Sequence, residues 1–194
     1  MEFLHKNQTW ELIKNPKSKK TIGCKWIFKL KEGIHSVEPK RFKARLVAKL
    51  FTHKKGVDFI EVFSPVVKHT SIRLILSHVI VYDMHLEWMD VKTAFLHGEL
   101  KEEIVMDQPE GFIDLKRLNW VYLLRKSLYG LKQSPRQWYL RFDNHMQKLN
   151  FQRCNFDCCV YFKRVNEGDM LYLILYVDDM LLACRDMKQI ELLK

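Results

Sequence analysis

Seven apolar residues, Leu171 to Val177, run straight into Asp178 and Asp179 before apolar character resumes at Met180, Leu181 and Leu182. Two apolar arms of that length, joined by a short polar break, predict a hairpin whose strands are buried and whose tip is acidic. Tight two-residue hairpins favour Asn-Gly or Asp-Gly because the turn needs positive φ, and neither Gly nor Asn is present. Two carboxylates about 4 Å apart repel by roughly 4 kcal/mol at an effective dielectric near 20. The pair is therefore a poor local choice that another gain must offset, and a bound divalent cation would reverse the sign of the interaction. An acidic turn without a ligand is the plainer alternative, since Asp populates turns for its own reasons.

A chain of 194 residues is long enough to bury about 70% of its unfolded surface, as one domain or two packed lobes. Hydrophobic residues make up 47% and charged residues 29%, so neither disorder nor a collagen-like or membrane class is indicated. No apolar run approaches the length needed to span a bilayer, and MEFLHKNQTW has no apolar core of a secretory signal. Five cysteines, an odd number at irregular spacing, lead us to expect a reducing, intracellular compartment. Cys154, Cys158 and Cys159, near His145, fit no standard zinc spacing. Neither GxGxxG nor GxxxxGK occurs, so binding through a phosphate loop is not expected.

The charge is uneven. Between Lys17 and Lys55 there are 13 Lys and Arg against two acids, a net of +11 within a chain total of +10, so the remainder carries −1. A basic block beside a near-neutral body fits a polyanion-binding lobe attached to a different core; a solvated face is the bland alternative. Within the block, Trp26, Phe28 and Leu30 alternate with Lys25, Lys29 and Lys31, and Phe42, Ala44, Leu46 and Ala48 alternate with Lys43, Arg45 and Lys49. Period two on both sides of the EGIHSVEPK linker predicts a basic-faced β-hairpin.

Further on, Thr70 or Ser71 is a candidate cap for a core-facing helix with apolar residues at Ile72, Ile75, Leu76, Val79 and Ile80. Leu86 and Trp88 lead to Asp90 on a short strand ending in a turn. Strands are expected at Glu103 to Met106, Trp120 to Lys126, Cys158 to Phe162 and Leu171 to Val177, with a hairpin turn over Asn166 to Asp169. Ser134-Pro135-Arg136-Gln137 reads as a capping box opening a helix with Trp138, Phe142, Met146 and Leu149 on its apolar stripe. Short strands broken by capped helices indicate an α+β fold around an antiparallel sheet packed on two or three helices.

Three carboxylates then stand at strand ends: Asp90, Asp178 and Asp179. Mg²⁺ takes a few carboxylates and completes its octahedron with water and substrate phosphates. Two such ions about 4 Å apart promote in-line phosphoryl displacement, to which a protein contributes mainly positioning and charge. Asp90 could instead cap a helix.

The motifs MDVKTAFLHGEL, SLYGLKQSPRQWY and LYVDDML, in this order, resemble those of the copia-type LTR retrotransposon reverse transcriptases. CKWIFKLK, RFKARLVAK, EVFSPVV, TSIRLIL and QPEGF are similar to the same family, so the likeness covers about Thr9 to Ala183. It implies a polymerase-like fingers and palm, with a fingers-like basic lobe over approximately 17–85 and a mainly palm-like part over approximately 86–194. It further implies that Asp90, Asp178 and Asp179 are the catalytic, metal-binding triad for two Mg²⁺ ions, with Mn²⁺ able to substitute. Phe95 matches the ring that excludes a ribose 2′-OH, and Tyr129 and Gly130 match the segment lying against the nascent pair. Lys43 and Arg45 are similar to the residues that grip the triphosphate, while Lys132 and Tyr176 match contacts to nucleic acid. The plainer alternatives are a core role for Phe95 and a solvated strand edge for Lys43 and Arg45.

Implied partners are an RNA or DNA template-primer and a deoxynucleoside triphosphate, with no membrane. The sequence departs from the family at Leu50, where glycine is usual, and at His53, where glutamine is common. The resemblance also implies that a thumb and an RNase H portion follow Asp179 in a full polyprotein, so that the present chain is truncated before the thumb. An RNA-directed DNA polymerase fragment is the first expectation. A silent retroelement remnant and a basic nucleic-acid-binding module stand as alternatives.

Overall fold

The computed structural model describes residues 2–16, 19–33, 39–49, 61–166 and 168–194. Leu50 and His53, and part of the EGIHSVEPK linker, lie outside the described residues. The chain divides into two compact units, Met1–Val62 with Phe95–Trp138, and Phe63–Ala94 with Tyr139–Lys194.

The first unit opens on a short helix α1 (Glu2–Lys6), followed by strands β1 (Trp10–Lys14), β2 (Cys24–Lys31) and β3 (Arg41–Ala48). β2 and β3 pair antiparallel in unbroken register from Cys24↔Ala48 to Lys31↔Arg41. This is the expected basic hairpin. The unit's three-stranded antiparallel sheet, order β1-β6-β5, adds β5 (Glu99–Met106) and β6 (Trp120–Lys126). β5 begins four residues earlier than its apolar pattern suggests, and the added stretch holds exposed Glu99 and Lys101. The core lies between sheet and hairpin: Trp10, Ile104, Met106 and Leu124 pack with Leu46, Ala48 and Leu128.

The second unit is built on a five-stranded antiparallel sheet, order β4-β10-β9-β8-β7. Its strands are β4 (His85–Asp90), β7 (Gln152–Arg153), β8 (Val160–Asn166), β9 (Asp169–Tyr176) and β10 (Asp179–Cys184). Leu171, Leu173, Ile174 and Leu175 of β9 and Leu182, Ala183 and Cys184 of β10 are buried. Continuous burial, rather than alternation, explains why the sequence here is an unbroken apolar run. At about 25 cal/mol per Å², such runs make the central strands the stable part of the unit. α2 (His69–Val81) and α4 (Met187–Glu191) lie in this unit, and α3 (Ser134–Lys148) runs into it.

Three local expectations are corrected. α2 is not capped by Thr70 or Ser71: its N-cap is Lys68, which supplies no side-chain bond. The cap comes from Asp157 instead, whose Oδ2 accepts from the Lys68 amide at 2.9 Å and from Ser71 Oγ at 2.6 Å. Nor is the α2 stripe core-facing as a whole, for only Ile75 is buried and Ile80 is 81% exposed. At the start of α3, Ser134 lies inside the helix, and its hydroxyl donates to the Leu128 carbonyl at 2.8 Å rather than closing a capping box. The stripe of α3 behaves as expected, with Trp138, Phe142 and Met146 buried. No helix among the described residues is long and apolar enough to cross a membrane.

Candidate active site

The register of the five-stranded sheet decides where the acids go. Asp179, the first residue of β10, pairs directly with Asp90, the last residue of β4, and on its other side with Tyr176 of β9. Directly opposed residues share a face, so Asp90, Asp179 and Tyr176 form one row across three strands. Asp178 sits in the turn between Tyr176 and Asp179, and its carbonyl accepts from the Val91 amide at 2.9 Å. The acids at 90, 178 and 179, separated by almost half the chain, are thus fixed to one end of one sheet by backbone pairing alone.

The turn itself is strained. Val177, its first central residue, has φ 61°, a left-handed conformation that is an outlier for a β-branched side chain and costs on the order of 1–3 kcal/mol. Thr93, just beyond β4, is likewise left-handed at φ 60°. Strain of this kind persists only where surrounding structure imposes it; here the paired strands on either side do so.

Electrostatically the row is unfavourable as it stands. Burial, then the charges of Asp178 and Asp90, push the Asp179 carboxyl above its usual range, with a hydrogen bond from the Trp88 side chain working in the opposite direction. In the sequence Trp88 stands out only as an apolar strand residue, though its place two residues before Asp90 puts it on the same face of β4. Three carboxylates at a partly exposed strand end are the hard oxygen type of ligand that Mg²⁺ or Mn²⁺ takes.

Asp157, Cys158 and Cys159 bring their ligand atoms within 4.8 Å of one another, which makes them a competing metal cluster. Their chemistry argues against it. Asp157 already accepts from Lys68, Ser71 and, at 3.0 Å, the Cys159 amide. Burial works to raise the Asp157 carboxyl, but these bonds outweigh it and hold it below the usual value. Burial also pushes the Cys159 thiol up to about 12, so it is protonated at neutral pH and a poor ligand.

The residues assigned to nucleotide binding lie in the first unit. Arg45 lies over the Tyr129 ring at 5.8 Å, and Phe95 meets the same ring edge-on at 5.8 Å between centroids. Gly130 has φ +94°, and a Cβ there would stand 2.5 Å from the Ala48 carbonyl. Its missing side chain is therefore explained by close approach to β3, where the Ala48 amide donates to the Tyr129 carbonyl at 2.8 Å. Lys43 stands two residues from Arg45, opposite Lys29, and Lys132 is exposed.

A family model described as reverse transcriptase (RNA-dependent DNA polymerase) matches residues 7–194. The chain belongs to the reverse transcriptase family. It is 53% identical over its full length to the retrovirus-related Pol polyprotein from transposon TNT 1-94 of Nicotiana tabacum, of which it covers 14%. The Pol polyprotein from transposon RE1 of Arabidopsis thaliana is 41% identical over 93% of the chain, which covers 12% of that relative. A putative transposon Ty5-1 protein of Saccharomyces cerevisiae is 38% identical over 49% of the chain and 30% of its own length. No solved structure matches. This reverse transcriptase domain thus spans roughly a seventh of the length of the plant Pol polyproteins it matches, and its resemblance to copia-type elements is borne out.

Proposed function

We propose that the chain is a fingers-and-palm portion of an RNA-directed DNA polymerase, which joins a deoxynucleotide to a primer 3′-OH on an RNA or DNA template. The single observation that supports this most strongly is the cross-strand pairing of Asp90 with Asp179, with Asp178 in the adjoining turn. In this reading the five-stranded sheet is palm-like and the basic β2–β3 hairpin belongs to a fingers-like lobe.

Asp90, Asp178 and Asp179 would hold the two Mg²⁺ ions. When bound, the ions supply the charge that activates the attacking hydroxyl and steadies the leaving oxygen. The chain's own groups position the reactants. Arg45 and Lys43 present fixed cations for the triphosphate, and an Arg held against Tyr129 keeps its planar donors oriented. Phe95 offers a ring edge that leaves no room for a 2′-OH, Tyr129 and Gly130 line the nascent pair, and Lys132 and Tyr176 touch the template-primer. The like-charged pairs Lys29↔Lys43 and Lys31↔Arg41 destabilise an isolated hairpin and are relieved by a polyanion.

Primer extension on an RNA template with Mg²⁺ tests the reading against Asp178→Asn. Extension by the native chain that falls about 100-fold or more in the variant supports it. Absence of any Mg²⁺-dependent extension by the native chain overturns it as an autonomous activity, and salt-sensitive binding without Mg²⁺ dependence would then favour a basic binding module.

A further inference from the structure

At the opposite end of β9 and β10 from the acids, the second unit holds a cleft of about 230 Å³ that the polymerase reading does not use. Seven strand steps separate Asp169 from Tyr176, which puts the cleft roughly 23 Å from the acidic row. Its wall is aromatic. The His78 and Tyr82 rings of the C-terminal part of α2 lie 4.2 Å apart, and Tyr172 of β9 meets His78 edge-on at 5.3 Å while its hydroxyl shares a 3.4 Å hydrogen bond with His78 Nε2. Its polar rim is a single opposed pair, Arg185 Nη1 and Asp169 Oδ1, 3.5 Å apart. The Arg185 guanidinium also lies 5.3 Å over the Tyr82 ring, and its Nε donates to the Tyr82 carbonyl at 3.3 Å.

We propose that this cleft binds a guanine base. The volume admits one flat heterocycle, and the rings of His78, Tyr82 and Tyr172 offer π surface on which such a ring stacks. The rim then selects the base. Guanine presents an acceptor, O6, beside two adjacent donors, N1–H and the N2 amino group. Arg185 donates to the first, as arginine does to guanine O6 in grooves, and the two oxygens of Asp169 accept from the other two. No other standard base places two neighbouring donors against one carboxylate. The Arg185–Asp169 pair is long and partly exposed, at 48% and 25% of the side-chain surface, so opening it for a ligand costs little. A carboxylate at the rim repels phosphate, so the base enters with its sugar outward, either as a free nucleoside or as an unstacked residue of an RNA strand.

Calorimetric titration of the chain with guanosine, without Mg²⁺, tests the assignment. Guanosine binding, at least about 10-fold tighter than adenosine and inosine, is expected, because adenine carries an amino donor where guanine has O6 and has neither the N1–H nor the N2 donor, and inosine lacks the N2 donor. Asp169→Ala is expected to remove the preference for guanosine over inosine, and Arg185→Ala to weaken both by about 10-fold, with thermal unfolding followed alongside to confirm that each variant is folded. Equal affinity for all three nucleosides, or no binding, overturns the proposal. A four-residue oligoribonucleotide with a single guanine separates the two sources: tighter binding than guanosine points to a strand, weaker binding to a free nucleoside. Guanosine carries no phosphate and the titration needs no metal, so Asp178→Asn leaves its binding unchanged whether or not the chain polymerises.

Discussion

Asp179 is caught between opposing requirements. Its carboxyl is raised by burial and by the charges of Asp178 and Asp90, so the folded chain binds that proton more tightly than the unfolded one. Stability therefore falls as pH rises from the unfolded value through the raised folded value, and the whole penalty is present above it. Asp179→Asn is expected to raise the melting temperature at pH 7 in a chelator while leaving it unchanged near pH 3. Added Mg²⁺ is expected to stabilise the native chain and not the variant, as thermal scans at both pH values would show. At Gly130 the requirement is steric, and Gly130→Ala forces a left-handed Ala against the Ala48 carbonyl. A loss of about 2–4 kcal/mol in urea unfolding is expected; a loss under about 1 kcal/mol would show that the neighbouring backbone yields.

At the scale of elements, legibility followed periodicity. The hairpin of β2 and β3, the strand β6 and the stripe of α3 could all be read from spacing, because each is fixed by its own residues. The cap of α2 could not, since its acceptor, Asp157, lies 89 residues from Lys68, and no local pattern encodes a partner so distant. The burial of α2 failed to follow its stripe for a related reason: periodicity says which residues share a face and is silent on whether anything covers it. The acids were legible as a set because the apolar run demanded a hairpin, but the register that opposes Asp90 to Asp179 had to come from the sheet. Asp157→Ala removes two bonds from the start of α2 and one from the Cys159 amide, and a loss of about 1–2 kcal/mol is expected. The Asp157 carboxyl is held low, so its contribution is present above the unfolded carboxylate range and fades as pH falls through the lower folded value. The native and Asp157→Ala stabilities should approach one another in denaturant titrations as pH falls below the ordinary carboxylate range.

For the molecule as a whole, the charge is concentrated where the hairpin is. Lys25, Lys29, Lys31, Arg41, Lys43 and Arg45 share one face of β2 and β3 by register, within a chain of net +10. Removing Lys29 by alanine substitution is expected to flatten the salt dependence of RNA binding by about one unit in slope, and in the absence of RNA to stabilise the hairpin by relieving its repulsion with Lys43. Fluorescence binding across a salt series and thermal scans check both arms. A slope that does not change would place the polyanion elsewhere.

The bond between Asp157 and the start of α2 also orders events in time. A ribosome adding about 5–20 residues per second emits Lys68 several seconds before the carboxylate that receives its amide, and through that interval the helix has a bare N-terminus. The nascent second unit cannot complete its sheet until still later, because β4 waits for its partner β10 at residues 179–184.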